Sequence, residues 1–142
     1  MARALPLFYA IQEIADALEE RQSAPLAKAE LTASQFNLLY LVIEEGPMRL
    51  GEVARYRRCV KSNASNLTRA MEKEGLVTLN ADPSDRRARV VEATKEGVRR
   101  YRVACRAFAR IERSLRTALG AKVTDELERL CLVGAAAVDE LG

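Results

Sequence analysis

The stretch that decides the fold runs from Leu50 to Arg89: LGEVARYRRCVKSNASNLTRAMEKEGLVTLNADPSDRRAR. It reads as a short helix, a turn, a second helix and a hairpin with a basic tip. In the second helix Val60, Ala64, Leu67 and Met71 recur at spacings of four, three and four, which places them on one helical face. The other face shows Lys61, Ser62, Asn63, Ser65, Asn66, Arg69 and Lys73, with Glu72 as its only acid. Hydroxyls and carboxamides hydrogen-bond base edges, and cations neutralise phosphates. A face that meets only water more often mixes Glu with Lys.

The flanks sharpen this reading. Gly75 is placed to stop the helix. Leu76-Val77-Thr78-Leu79 alternates as a strand does, Asn80 to Arg87 is rich in turn residues, and Arg89-Val90-Val91-Glu92-Ala93 reads as the return strand. The hairpin tip carries Arg86 and Arg87. A planar guanidinium on a protruding hairpin suits the narrow minor groove of DNA, whose negative potential attracts arginine. Asp82 and Asp85 lie within reach of the tip. They are expected to support the wing by holding its arginines in one geometry, which reduces the rotamer entropy lost on binding. The candidate DNA-binding residues are therefore Lys61, Ser62, Asn63, Ser65, Asn66, Arg69, Arg86 and Arg87.

Residues 50–97 resemble the winged helix-turn-helix of the MarR family of bacterial transcriptional regulators. The family pattern is roughly L-S/T-E-L-A, a turn, a polar recognition helix ending R-L-E-x-x-G-L-V/I, a wing written D-x-R-D-x-R, and then L-T-x-x-G. This chain has Leu50-Gly51-Glu52-Val53-Ala54, then Ala70-Met71-Glu72-Lys73-Glu74-Gly75-Leu76-Val77. Its wing is Asp82-Pro83-Ser84-Asp85-Arg86-Arg87, followed by Ala93-Thr94-Lys95-Glu96-Gly97. The resemblance implies that Arg87 is the arginine that enters the minor groove, with Asp85 as its steadying partner. Two departures stand out. Ser84 replaces the inner arginine of the wing pattern, which removes one intra-wing ion pair. Arg57-Arg58 stands where the family usually has Leu-Gly, so either the turn packs differently or Tyr56 fills the apolar slot.

The expected fold class is mainly α with a small β-hairpin wing, in one domain over residues 1–142. The DNA-binding lobe is expected over 30–97, with dimerisation helices over 1–25 and 98–142. The chain has 142 residues, enough for one moderate core, and a net charge of +3, too mild by itself to establish a nucleic-acid partner. The distribution says more. From Arg49 to Lys73 the cations are Arg49, Arg55, Arg57, Arg58, Lys61, Arg69 and Lys73, against Glu52 and Glu72. No apolar run is long enough to span a membrane, and the apolar positions near the start are interrupted by Gln12, Glu13 and Asp16, unlike a signal peptide. A cytoplasmic protein is expected.

Outside the lobe, Leu5, Phe8, Ile11, Ile14, Ala15 and Leu18 make an amphipathic first helix that is expected to end near Gln22 to Pro25. Thr32 and Gln35 form a capping box for the next helix, whose buried stripe is read as Phe36, Leu39, Val42 and Ile43 before Gly46-Pro47 stops it. Thr94 caps a long helix with Val98, Tyr101, Cys105, Phe108, Ile111, Leu115 and Leu119 on one face. Gly120 breaks it, and Val123, Leu127, Leu130 and Ala137 mark the last helix. These two helices carry more apolar surface than one small lobe needs. The family resemblance implies a homodimer built on the first, fifth and sixth helices, reading a palindromic operator in double-stranded DNA, commonly as a repressor.

The resemblance also implies a signal, either a small aromatic or lipophilic anion or cysteine oxidation. For an anion effector the candidate pocket residues are Tyr9, Gln12, Tyr40 and Arg106, with Arg99 and Arg102 as further cations. Cys59 reads two ways. It is a thiol between Arg58 and Lys61 at a helix start, where cations lower a thiol pKa, or it is a small filler of an apolar slot. Cys105 and Cys131 read as core residues. No cofactor and no metal site is expected, since the chain has no His. An enzyme is disfavoured for want of a nucleophile-base pair or a phosphate loop. Two other classes compete: an architectural protein that binds DNA by charge alone, and a winged-helix protein-interaction module.

Overall fold

The computed structural model describes residues 4–56 and 61–141, the side chain of Lys61 excepted. The helices are α1 (Pro6–Ala29), α2 (Ala33–Glu44), α3 (Leu50–Tyr56), α4 (Lys61–Lys73), α5 (Lys95–Leu119) and α6 (Ala121–Asp139). The strands are β1 (Met48–Arg49), β2 (Val77–Asp82) and β3 (Asp85–Ala93), in sheet order β1-β3-β2, all antiparallel. The chain forms two compact units that divide within α5, after Ala107.

The core of the first unit is built from Leu38, Leu39, Val53, Thr68, Met71, Leu76, Val77 and Val91, all fully buried. The capping box at the start of α2 forms as expected. Thr32 Oγ1 accepts the Gln35 amide at 3.1 Å, and Gln35 Oε1 accepts the Thr32 amide at 3.0 Å. Gln35 Nε2 also donates to both Glu74 oxygens, at 3.1 and 3.2 Å, tying the start of α2 to the segment that follows α4. The buried set on α2 is Gln35, Leu38, Leu39, Leu41 and Val42; Phe36 and Ile43 are only half-buried. The expected single stripe was too narrow because α2 packs against α1, α4 and β3.

α1 runs four residues beyond its expected end, with Pro25 inside it. Proline in a helix interior removes a hydrogen bond and costs about 3 kcal/mol. Here Pro25, Leu26 and Ala29 are all buried, and that burial offsets the lost bond. The helix ends with Glu30 in the left-handed region (φ 54°), where the Glu30 amide donates to Ala27 O and the Leu31 amide to Leu26 O. Arg100, on α5, donates to the Glu30 carbonyl at 3.1 Å and holds this turn. Glu96 accepts Arg99 and Arg100 together, and those bonds lower its carboxyl to about 2.

The close of α4 is a Schellman motif. The Gly75 amide donates to Glu72 O and the Leu76 amide to Met71 O, with Gly75 at φ 74°. Thr94 then does two jobs at the start of α5. Its hydroxyl donates to Gly75 O at 2.6 Å and accepts the Gly97 amide at 3.0 Å. A Cβ on Gly97 would overlap the Leu76 carbonyl oxygen and press on Leu39, so α5 can cross this loop only with glycine there.

α5 buries Gly97, Tyr101 and Ala104. The Tyr101 hydroxyl donates to Glu44 Oε1 at 2.8 Å, and its ring stacks on Phe36. Burial, with Cys105 and Glu44 beside it, raises the Tyr101 hydroxyl well above the usual phenol range. Cys105 itself is half-buried.

In the second unit, Gly120 (φ 76°) precedes α6, and Arg116 bonds both Glu112 and Glu128. α6 buries only Thr124. Cys131 is exposed, contrary to its reading as a core residue. Its apolar neighbours misled that reading, because Leu130 and Leu132 are themselves 49% and 74% exposed.

Candidate nucleic-acid interface

The first unit gathers the predicted DNA-facing residues on α4 and the β2–β3 hairpin. On α4 the buried face is Ala64, Thr68 and Met71, with Leu67 half-buried; Val60 lies outside the described residues. Thr68 was not read as buried. It is tolerated there because its hydroxyl donates to Ala64 O at 2.7 Å, leaving no unpaired polar atom. Ser62, Asn63, Asn66 and Arg69 are exposed, and Ser65 is half-buried. The Lys61 side chain is outside the described residues.

Glu72, the one acid on the polar face, is exposed and also bonds the sheet. Its Oε1 accepts the Leu79 amide of β2 at 3.2 Å, which draws the carboxylate toward the sheet. Between α4 and the strands lies an open groove of about 470 Å³, lined by Leu50, Ser65, Arg69, Glu72, Lys73, Leu79 and Arg89. No carboxylate among the described residues pairs with Arg69, Lys73 or Arg89. These three cations therefore remain available to an anion lying along the groove. Arg89 lies in β3, away from the wing tip, and its place in this groove comes from the cross-strand pairing rather than from any local sequence signal.

The hairpin is longer than expected. Asn80–Asp82 and Asp85–Arg87, read as loop, continue the two strands, and only Pro83-Ser84 turns. Turn-forming residue types were outweighed by cross-strand pairing that runs from Val77↔Ala93 to Ala81↔Arg89. The register then jumps. Asp82 pairs with Asp85, leaving Arg86, Arg87 and Ala88 with no opposite residue on β2. Such a bulge re-aims side chains out of the ladder, and it carries both tip arginines, each exposed.

Asp82 and Asp85 do not clamp those guanidiniums. Asp85 Oδ1 accepts the backbone amide of Arg87 at 3.0 Å. Asp82 accepts the Ser84 hydroxyl at 2.7 Å and the Ser84 amide at 2.8 Å through Oδ1, and Arg49 Nε at 2.7 Å through Oδ2. The Ser84 bonds first, and then Arg49, lower the Asp82 carboxyl to about 2. Arg49 also donates from Nη2 to Ser84 Oγ at 3.3 Å. It belongs to β1, a two-residue strand too short to be seen as a strand in the sequence.

Other predicted residues are dispersed. Tyr56 is 61% exposed, so it does not fill an apolar slot in the turn. Residues 57–60, with Cys59, lie outside the described residues. Tyr9 and Tyr40 are about half exposed, Gln12 bonds Asp16 at 2.7 Å on its own helix, and Arg106 is exposed. No hydrogen bond or ion pair among the described residues joins these four.

A helix-turn-helix followed by a hairpin with a basic tip, on a three-stranded sheet, is a winged helix-turn-helix. Residues 31–88 match the sequence model of the MarR family. The transcriptional activatory protein BadR of Rhodopseudomonas palustris is 31% identical over 95 residues, 64% of this chain; the chain spans about half of that relative, 54% of its length. The transcriptional repressor CouR, solved bound to a 23-mer DNA duplex, superposes with a TM-score of 0.85 at 25% identity, covering 95% of this chain and 98% of CouR. The PcaV regulator of Streptomyces coelicolor, solved with its natural ligand, shares the fold with a TM-score of 0.75 at 20% identity, covering 97% of this chain and 99% of PcaV. Over residues 31–88 the chain is similar to the MarR family, and it shares the fold of that family's solved structures.

Proposed function

We propose that this chain is a DNA-binding transcriptional regulator that acts as a homodimer on a palindromic operator. The observation that carries the reading is the shared exposure, on one unit, of an α4 face of hydroxyls, carboxamides and a cation and of two arginines on a wing bulge. Asn63, Asn66, Ser62 and Ser65 would meet base edges in the major groove, with Lys61 and Arg69 on phosphates. Arg86 and Arg87 would reach the flanking minor groove. CouR, whose likeness spans nearly the whole chain, is a repressor on DNA, and we assign the same sign here.

The homodimer rests on exposed apolar surface. Leu5, Leu7, Phe8, Ile11 and Ile14 of α1 and its approach are 51–73% exposed, and Val123, Leu130, Leu132, Val133 and Val138 of α6 are 49–74% exposed. Apolar faces of that extent are covered by a partner in stable proteins. A two-fold dimer presents its two recognition helices to half-sites about 10 bp apart. We assign the release signal to a small molecule, of the aromatic or lipophilic anion class that the family resemblance implies; PcaV, which shares the fold, was solved with its own natural ligand.

The test is a fluorescence-anisotropy titration on the duplex upstream of the chain's own gene, beside a scrambled duplex, at two salt concentrations. The reading predicts binding to the upstream duplex that persists at the higher salt and fails on the scramble. Equal binding to both that collapses with salt would point to charge-only DNA packaging instead.

A further inference from the structure

We propose that Arg49 is the positioning cation of the wing: from β1 it takes the place of the arginine missing at position 84, and through Asp82 and Ser84 it fixes the bulge that presents Arg86 and Arg87. The DNA-reading part of this inference rests on the function proposed above.

The tip has a problem that Arg49 resolves. Asp82 and Asp85 are direct cross-strand partners, and like charges opposite one another destabilise a hairpin. Within the wing sequence Asp82-Pro83-Ser84-Asp85, no cation separates them. Arg49 supplies one from outside. Its Nε sits 2.7 Å from Asp82 Oδ2 and its Nη2 3.3 Å from Ser84 Oγ, while Ser84 returns its hydroxyl and amide to Asp82 Oδ1. The result is a closed set of bonds around the Pro83-Ser84 turn. The register jump lies beside it, and Asp85, the other end of the last pair, accepts the Arg87 amide.

Arg49 is itself fixed from two sides. Its backbone pairs with Val90 in the sheet, and its amide donates to Glu52 Oε2 at 2.8 Å, the bond that starts α3. The guanidinium therefore ties the wing tip to the entry of the helix-turn-helix. An exposed ion pair alone contributes little to stability. A cation held at its backbone and shared between a carboxylate and a hydroxyl acts instead on geometry. It sets the angle at which the wing leaves the sheet.

The test compares Arg49→Ala, Arg87→Ala, their combination, and Arg49→Ala with Ser84→Arg. The first readout is amide exchange at Ser84 and Arg87 in the free protein, which needs no DNA. Arg49→Ala is expected to speed exchange at both amides while the melting temperature stays nearly unchanged, and Ser84→Arg is expected to slow it again. The second readout is affinity for the upstream duplex. Arg49→Ala is expected to weaken binding about tenfold, and by clearly less when Arg87 is already Ala, because the bulge then presents only Arg86. Ser84→Arg should restore binding to the Arg49→Ala protein. Unchanged exchange in Arg49→Ala would overturn the proposal. So would a loss of affinity that simply adds to that of Arg87→Ala, which would place Arg49 directly on a phosphate. Absence of duplex binding by the unaltered protein would defeat the proposed function instead, and the exchange readout would still decide whether Arg49 holds the tip.

Discussion

The α2–β3 core and the α6 helix use the same residue types to opposite ends. In the first, Leu38, Leu39, Val53, Leu76, Val77 and Val91 are fully buried, and polar groups such as Thr68 and Gln35 are bonded where they lie. In the second, Leu130, Leu132, Val133 and Val138 are about half exposed or more, and Thr124 alone is buried. α1 repeats the contrast within one helix: its last turns bury Pro25, Leu26 and Ala29, while Phe8, Ile11 and Ile14 are open. The difference teaches that apolar periodicity announces a face to be covered without saying by what. The lobe covers its own faces; those of α1 and α6 stay open in the single chain, and the proposed homodimer is what would cover them.

The sharpest way to break this comparison is a charge on each open face. Phe8→Glu with Leu130→Glu should convert a dimer into monomers and abolish duplex binding, read by sedimentation and anisotropy. It should also leave the helical circular dichroism intact, since exposed substitutions shift stability by only about 0.5 kcal/mol. A dimer that survived both charges would place the interface elsewhere. The opposite test strikes the lobe. Gly97→Ala drives a methyl into the Leu76 carbonyl and should cost about 3 kcal/mol, read by urea denaturation, because backbone cannot yield as a side-chain tip can.

Smaller effects probe the proposed DNA-facing surface. Arg87→Ala should weaken operator binding by about 1–3 kcal/mol, and Asn66→Ala should relax base preference by a comparable amount. Gln35→Ala removes the capping box and the link to Glu74, and should cost about 1 kcal/mol of stability with little change in DNA affinity per folded protein. The mildest is a pH effect. Asp82 and Glu96 fall from 3.8 and 4.5 to about 2 in the folded chain. A depressed carboxyl stabilises the fold above its unfolded value, and that contribution is lost as pH falls toward 2. Protection of the Ser84 amide, taken relative to its intrinsic exchange at each pH, should therefore hold through about pH 4 and be lost only as pH approaches 2, where Asp82 takes up its proton.

The legible part of this fold was the part with local rules. Thr32 and Gln35, three apart, announce a capping box; Gly75 announces a helix end; the sequence from Ala93 to Gly97 announces the next helix start. Each feature forms. Long-range pairing was hidden. β1 is two residues whose strand character exists only because Met48 lies opposite Val91 and Arg49 opposite Val90. The length of the wing strands likewise depends on partners across the hairpin. The site was legible in its residue types and less so in its bonding. Arg86 and Arg87 could be placed at a basic tip from the sequence, but the support of Asp82 by Arg49 joins residues 33 positions apart, and no spacing rule points to it. Pro25 was misread because a proline's cost is local and visible, while the burial that offsets it is not.

The most direct test of the account is the mass of the complex on the upstream duplex, measured by sedimentation velocity beside a scrambled duplex at equal salt. The account predicts two chains per upstream duplex and no complex on the scramble. One chain per duplex, or the same complex on both, would contradict it.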